Sequence, residues 1–490
     1  MIRAILLFSI ITISLPTGAQ TAFEALRYSN YNIESTARNM GVGGAMSGLG
    51  ADFVSLITNP AGLGGYRFTE WTFTPGVFRV GARADFENSN PPNTEKEGKA
   101  QFLFSEVGFV KVRTPQEGVW YTSNFGIGYN QLQNFNQEFF FSGESQGSIV
   151  DRFLDQVRAE GFNDFESGLA ADADAIYDNG GVTVSDIELN PDAFIYKEQL
   201  VNRTGSQGEL AVGFGGNYRE RMLIGFSIGI PIISYSETKS YQERDNQSQV
   251  PFFEALTFTE NLRTTGIGIN AKLGVLFMPA YNIRLGGAIH TPTRYSMMDN
   301  FDTAFSYIYT PANSDVSTTN LARSPEGAFE YRFRSPWRFL ANAGYVIGEY
   351  GFLTAELEYL NYGNGQFSPT ATESNFGTET FLNTITADVA ALFRRALNMR
   401  VGGEIAWNNL RLRAGVGLGT SPYVNGRKVN AKIGTGVGFR RDRFFFDFGY
   451  RIARFQETYA PFLLNSDLEP SIQTAFTDQR FILTIGIKQG

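Results

Sequence analysis

Several stretches of the chain alternate apolar and polar side chains with a period of two. Leu410–Gly419 reads LRLRAGVGLG: Leu410, Leu412, Ala414, Val416 and Leu418 share one side, while Arg411, Arg413 and glycines share the other. In Met399–Trp407, Val401, Ile405 and Trp407 oppose Arg400 and Glu404. In Ala431–Arg440, Ile433, Val437 and Phe439 oppose Lys432 and Arg440. In Phe481–Lys488, Phe481, Leu483, Ile485 and Ile487 oppose Thr484 and Lys488. Successive side chains of a strand point to opposite faces, so this period over about ten residues specifies a strand with one apolar face. Such strands build either a sandwich, apolar face inward, or a membrane barrel, apolar face outward.

The connections separate these cases. Strands are predicted near 70–84, 99–113, 119–142, 207–219, 221–240, 256–278, 281–309, 326–347, 350–363, 395–408, 410–420, 429–440, 443–459 and 476–488. Long links (85–98, 143–206, 241–255) alternate with tight ones such as Arg219-Glu220-Arg221, Asn408-Asn409 and Arg441-Asp442. Short turns on one side and long loops on the other are the rhythm of an outer-membrane barrel. The expected fold is therefore all-β: a transmembrane antiparallel barrel of fourteen strands. The 143–206 link is too long to be structureless. Helical spacing predicts one helix with Ser148 as its cap and Ile149, Val150, Phe153, Leu154 and Val157 on one side. A second is expected at Phe165, Leu169 and Ile176, and a third at Phe381, Leu382, Ile385, Val389 and Leu392.

The first residues read as an export signal. Arg3 supplies the positive end, Ala4–Leu15 the apolar run, and Thr17-Gly18-Ala19 a cleavage site that leaves Gln20 first. That run is shorter than the ~20 residues needed to span a bilayer. No later segment is apolar and long enough, so an exported chain of this kind either stays soluble or crosses a membrane with strands. Cysteine is absent, which excludes disulfides, thiolate catalysis and cysteine metal sites. The pI near 5.1 leaves no basic footprint for nucleic acid.

Between signal and strands lies Gly41–Tyr66, GVGGAMSGLGADFVSLITNPAGLGGY. Gly41, Gly43, Gly44, Gly48 and Gly50 supply flexibility, and Asn59-Pro60 suits a cap followed by the first residue of a short helix. No Gly-Lys-Ser/Thr follows, so this is not a phosphate loop. The run ARNMGVGGAMSGLGADFVSLITNPAGLG ahead of TEWTFTP resembles the plug of the FadL/TodX outer-membrane transporters of hydrophobic compounds, in the branch found in Bacteroidetes. Asn59, Pro60, Ala61 and Gly62 carry the most specific part of the match, which extends over residues 22–75.

The resemblance implies residues 1–19 as signal, 20–68 as a plug inside the barrel, and 69–490 as the barrel. It implies glycine hinges in the plug, and a side opening at a kink in the third strand, where Gly126 and Gly128 are the candidates. It also implies an outer-membrane location in a Gram-negative cell, both termini periplasmic, lipid and lipopolysaccharide as surroundings, and a monomer. The expected function is passive uptake of long-chain fatty acids or similar molecules; the alternatives are haemin uptake and a scaffold role in secretion. Arg400, Arg411 and Arg413 are candidates for a carboxylate head group, in competition with a lumenal ion-pair network with Glu356 and Glu358. His290, the only histidine, reads as structural rather than catalytic. No enzyme site, cofactor or metal is expected.

Overall fold

In a computed structural model of the protein, residues 22–33, 35–90, 93–464 and 470–489 are described; the signal segment and its cleavage site lie outside them. Fourteen antiparallel strands close into one barrel. In chain order they are β1 (Thr69–Phe86), β2 (Asn93–Arg113), β3 (Trp120–Asn134 and Gln137–Ser145) and β4 (Ile195–Tyr218). Next come β5 (Met222–Arg244), β6 (Phe253–Ala280) and β7 (Ile283–His290 and Arg294–Tyr309). β8 has three pieces (Thr318–Arg323, Gly327–Arg334, Arg338–Val346) and β9 two (Gly351–Asn361, Gln366–Pro369). The ring continues through β10 (Arg395–Trp407), β11 (Leu410–Thr420), β12 (Val429–Arg441), β13 (Phe444–Tyr459) and β14 (Ile472–Gln489). β14 pairs β1 from Thr69↔Gln489 to Phe86↔Ile472, which closes the ring.

The alternation read from sequence sets the facing. On β5, Ile224, Phe226, Ile228, Ile230 and Ile232 form an exposed row, while Leu223, Ser227 and Ile233 between them are buried. Rows of this kind recur on β10–β14, where Val401, Leu412, Ile433, Phe446 and Leu483 all face outward. Continuous apolar rows on the outside of a closed ring suit lipid and not water. No helix among the described residues is long and apolar enough to cross a membrane.

Proline explains most interruptions of the strands. β7 breaks at Thr291-Pro292-Thr293, and β8 at Ser324-Pro325-Glu326 and Ser335-Pro336-Trp337. Proline has no N–H for the ladder, so the strand must bulge or pause there. The wall is uneven. β4, β5 and β6 have 24, 23 and 28 residues, against 13, 11 and 13 for β10, β11 and β12.

The long link is shorter than the pattern suggested. β3 runs on to Ser145 and β4 starts at Ile195, not near residue 207. In the first half of β4 the inward positions include Lys197 and Gln199 and the outward ones Glu198 and Asn202, so no apolar face marks the strand. Of the 146–194 link, Ile149–Glu160 is helix α3, capped by Ser148 with Asp151 closing the capping box. Ser167–Asp172 is the short helix α4; Ile176 lies beyond it. Phe376–Leu392 is helix α5, in the β9–β10 link.

A charge placed in the middle of a lipid-facing row tests this facing. Ile228→Arg is expected to lower the unfolding free energy in a bilayer by about 2–4 kcal/mol, and Ser234→Arg, higher on the same row, by about 1 kcal/mol or less. Equal effects in a refolding titration into vesicles would show that the row does not lie in hydrocarbon.

Candidate functional site

The segment before β1 is built from short capped turns. Thr36 caps helix α2 (Ala37–Gly41), accepting from Asn39 N–H at 3.1 Å, and its hydroxyl donates to Asp52 at 2.9 Å. Asp52 in turn caps the turn Phe53–Leu56, accepting from Val54 N–H at 3.1 Å. Asn59 caps the turn Pro60–Gly65 by accepting from Ala61 N–H at 3.2 Å, with Pro60 at the first position. Each cap satisfies an otherwise orphan donor, and the turns pack around a buried apolar cluster that includes Val42, Met46, Phe53, Leu56 and Leu63.

Strands from around the ring grip this segment. Ala37 N–H donates to Thr484 on β14 at 2.8 Å, and Thr354 on β9 donates to the Ala45 carbonyl at 2.6 Å. Arg284 on β7 donates to the Leu49 carbonyl. Asn59 Nδ2 donates to Asn342 on β8 at 3.0 Å, and Asn124 on β3 donates to the Leu63 carbonyl at 2.7 Å. Strands β3, β7, β8, β9 and β14 thus all hold this segment. His290 belongs to the same grip: its Nε2 is 2.6 Å from the Thr58 carbonyl oxygen. A carbonyl only accepts, so Nε2 carries the proton. The single imidazole is thereby committed to the residue next to Asn59.

The glycines work by close approach. A Cβ on Gly43, at φ +70°, would lie 2.6 Å from the backbone nitrogen of Val416 on β11. One on Gly48 would lie 2.8 Å from the Ala343 carbonyl, and one on Gly41 3.2 Å from Arg413. Gly44 packs on Arg400 and Gly50 on Gly62. On the wall, Gly128 and Gly108 are ladder partners between β3 and β2, and the ring of Phe53 lies against both; a Cβ on Gly128 would be 2.6 Å from it. Gly126 receives Leu63 in the same way. Both glycines lie in unbroken ladder. The irregularity of β3 falls further on, with a register shift at Gln131/Gln133 and a break at Phe135-Asn136. Pairing to β2 spans Ser123 to Asn130. Among the described residues, β3 beyond Asn130 has no ladder to β2.

The three candidate arginines are held by carboxylates. Arg400 pairs with Glu356 and, at 2.6 Å, with Glu358, which also holds Arg338 at 2.5 Å. Arg413 is buried between Glu404 at 2.6 Å and Asp447 at 2.7 Å. Arg411 sits 3.8 Å from Glu404 and donates to the Asn408 carbonyl at 2.6 Å. Arg38 of the inner segment joins this layer at 3.3 Å from Glu404. A cavity of about 430 Å³ opens beside it on the short-turn side, lined by Arg38, Glu70, Arg411, Arg440 and Lys488 among others. Glu404↔Arg413 are direct cross-strand partners, a pairing hidden until the register is known. Among the described residues, no group of three metal-ligating side chains is arranged around a cation position.

Toward the long-loop side the lumen changes character. Helix α1 (Ala22–Ser29) lies in a chamber of aromatic side chains: Phe135, Tyr235, Tyr295, Tyr331, Phe333 and Phe367. Arg27 covers the Tyr235 ring at 4.1 Å, and Tyr28 meets Phe135 edge-on at 6.4 Å. Leu382, Ile385 and Val389 of α5 close the chamber. Phe23 packs on Phe393 at 6.1 Å, so the described start of the chain lies toward the long loops, while Gln489 pairs with Thr69 at the short-turn end. The chamber was not legible in sequence, because its rings come from five different strands, β3, β5, β7, β8 and β9.

No family model matches the chain, and no curated protein matches it by sequence. Solved structures do. A FadL homologue from Pseudomonas aeruginosa aligns with a TM-score of 0.57 at 11% identity, covering 94% of this chain and 99% of that one. The toluene transporter TodX of Pseudomonas putida aligns with a TM-score of 0.50, also at 11% identity, over 94% and 99%. The chain shares the fold of these two proteins.

Asn59→Ala removes the turn cap and the bond to Asn342 while leaving the wall intact. Each contributes about 1 kcal/mol. Amide exchange across residues 58–66 is expected to speed up about tenfold or more, with wall amides unchanged. Unchanged exchange in the segment would mean that Asn59 does not anchor it.

Proposed function

We propose that this protein is a passive channel of a Gram-negative outer membrane that takes up hydrophobic small molecules, with long-chain fatty acids as the favoured class. The observation that carries this reading is the buried aromatic cluster packed around α1, on the long-loop side of residues 36–66 and of the lumenal ion pairs. An open water-filled pore offers nothing to an oily solute: each buried CH₂ gains ~0.8 kcal/mol. An apolar chamber does, and the fold it occupies is shared with a solved toluene transporter.

In this reading residues 20–68 act as a plug. Molecules enter from the long-loop side, partition into the chamber as α1 yields space, and leave sideways where β3 loses its ladder to β2 after Asn130. The plug gates by small shifts of the Asn59-Pro60-Ala61-Gly62 turn against β6 and β8, around its glycines. The C-terminus faces the periplasm with the tight turns. Arg400, Arg411 and Arg413 are structural, since carboxylates hold them; of the three, Arg411 borders the cavity on the short-turn side. The haemin reading has less support, because His290 is turned to Thr58.

Uptake of labelled oleate by cells with and without the gene tests the proposal. Faster uptake with the gene is expected, and equal rates would reject it. A Soret shift on haemin titration that vanishes in His290→Ala would replace it with haemin uptake.

A further inference from the structure

On the outer face of the barrel, three arginines stand together without partners among the described residues. Arg294 on β7 and Arg334 on β8 are direct cross-strand neighbours, and Arg332 lies two residues before Arg334, opposite Ser296. All three are exposed, and none makes a hydrogen bond or ion pair with a described residue. Like charges directly opposite each other on one sheet face repel. With cross-strand Cβ atoms about 5 Å apart and i,i+2 neighbours about 7 Å apart, the three long side chains can reach one anionic group. The next strand continues the spot with polar side chains: Gln366 is opposite Arg334, and Ser368 opposite Arg332.

Position identifies the partner. Immediately below the cluster, past the proline breaks, Ile289 and Phe339 are cross-strand partners at the top of the lipid-facing rows, with Trp337 exposed beside them. Ile269, opposite Arg294, is exposed too. The arginines therefore lie where hydrocarbon gives way to head groups on the long-loop side. The chain as a whole carries a net charge of −8, so this cluster is a local exception to its charge.

We propose that Arg294, Arg332 and Arg334 bind the phosphate groups of a phosphorylated glycolipid in the outer leaflet, with its acyl chains lying along Ile289, Trp337 and Phe339. Guanidinium forks match phosphate oxygens two at a time, and the anion removes the mutual repulsion of the unpaired pair. The apolar row directly beneath selects a lipid over a free anion. The site rests on the outer-membrane placement proposed above, and not on what the channel carries.

The test uses the full-length protein in detergent, titrated with diphosphorylated lipid A and followed by native mass spectrometry and melting temperature. Wild type is expected to hold lipid A adducts and to melt higher as they form. Arg294→Gln/Arg332→Gln/Arg334→Gln is expected to bind about tenfold more weakly or worse, and the triple lysine variant to keep part of the binding. Dephosphorylated lipid A should bind both proteins weakly. Equal binding by wild type and the glutamine variant, or equal binding of the dephosphorylated lipid, would overturn the proposal. So would full competition by millimolar inorganic phosphate or by oleate, which would make this a site for free anions. If the glutamine variant does not fold, the comparison rests on Arg334→Gln alone, with the same expected and overturning outcomes. Oleate uptake by the same variants is expected to be unchanged; wild-type protein that binds lipid A but speeds no uptake would reject the transport reading and leave this site standing.

Discussion

Hydrocarbon offers backbone amides and carbonyls no hydrogen-bond partners, and this one constraint organises the molecule. A chain that crosses lipid with strands must satisfy every N–H and C=O laterally, which requires a ring with no free edge. Pairing of β14 with β1 closes it. Closure then divides every strand into two chemistries. Outward positions meet lipid and are apolar; inward positions meet each other, with carboxylates and arginines of neighbouring strands in register, as in Glu404↔Arg413.

A closed ring creates its own difficulty, a lumen. Here it is filled in two layers of different character. Residues 36–66 lie among wall hydrogen bonds and glycines, where small side chains let backbone approach backbone, as at Gly43 against Val416. Their shape comes from caps (Thr36, Asp52, Asn59), from a buried apolar cluster around Phe53 and Leu56, and from the wall. Beyond them the lumen is aromatic and holds α1.

Much of the architecture was legible from residue order. Wherever a strand sat in hydrocarbon, its alternation was clear, and fourteen strands could be counted. Where strands rise above the lipid, the pattern fades: the first half of β4, with Lys197 and Gln199 inside, was read as loop. Caps at Ser148 and Asn59 were readable because their effect is local. Partners were not. An ion-pair network of Arg400 and Arg413 with Glu356 and Glu358 was expected, but only register showed that Arg413 takes Glu404 and Asp447 instead. Gly126 and Gly128 looked like breaks in β3, yet they are seats for Leu63 and Phe53 in an intact ladder.

What residue order settled alone was therefore the solvent on each side of each strand, since a period of two is fixed by backbone geometry. It also gave the number of crossings and the local caps at Ser148 and Asn59, while the breaks at Pro292 and Pro336 fell inside strands read as continuous. Tertiary structure decided everything that depends on which strands become neighbours: the ion pairs, the aromatic chamber, the gap between β2 and β3, and the coming together of Arg294, Arg332 and Arg334. Those meetings arise from ring closure and register, which join residues far apart in the chain and leave no trace in any local pattern.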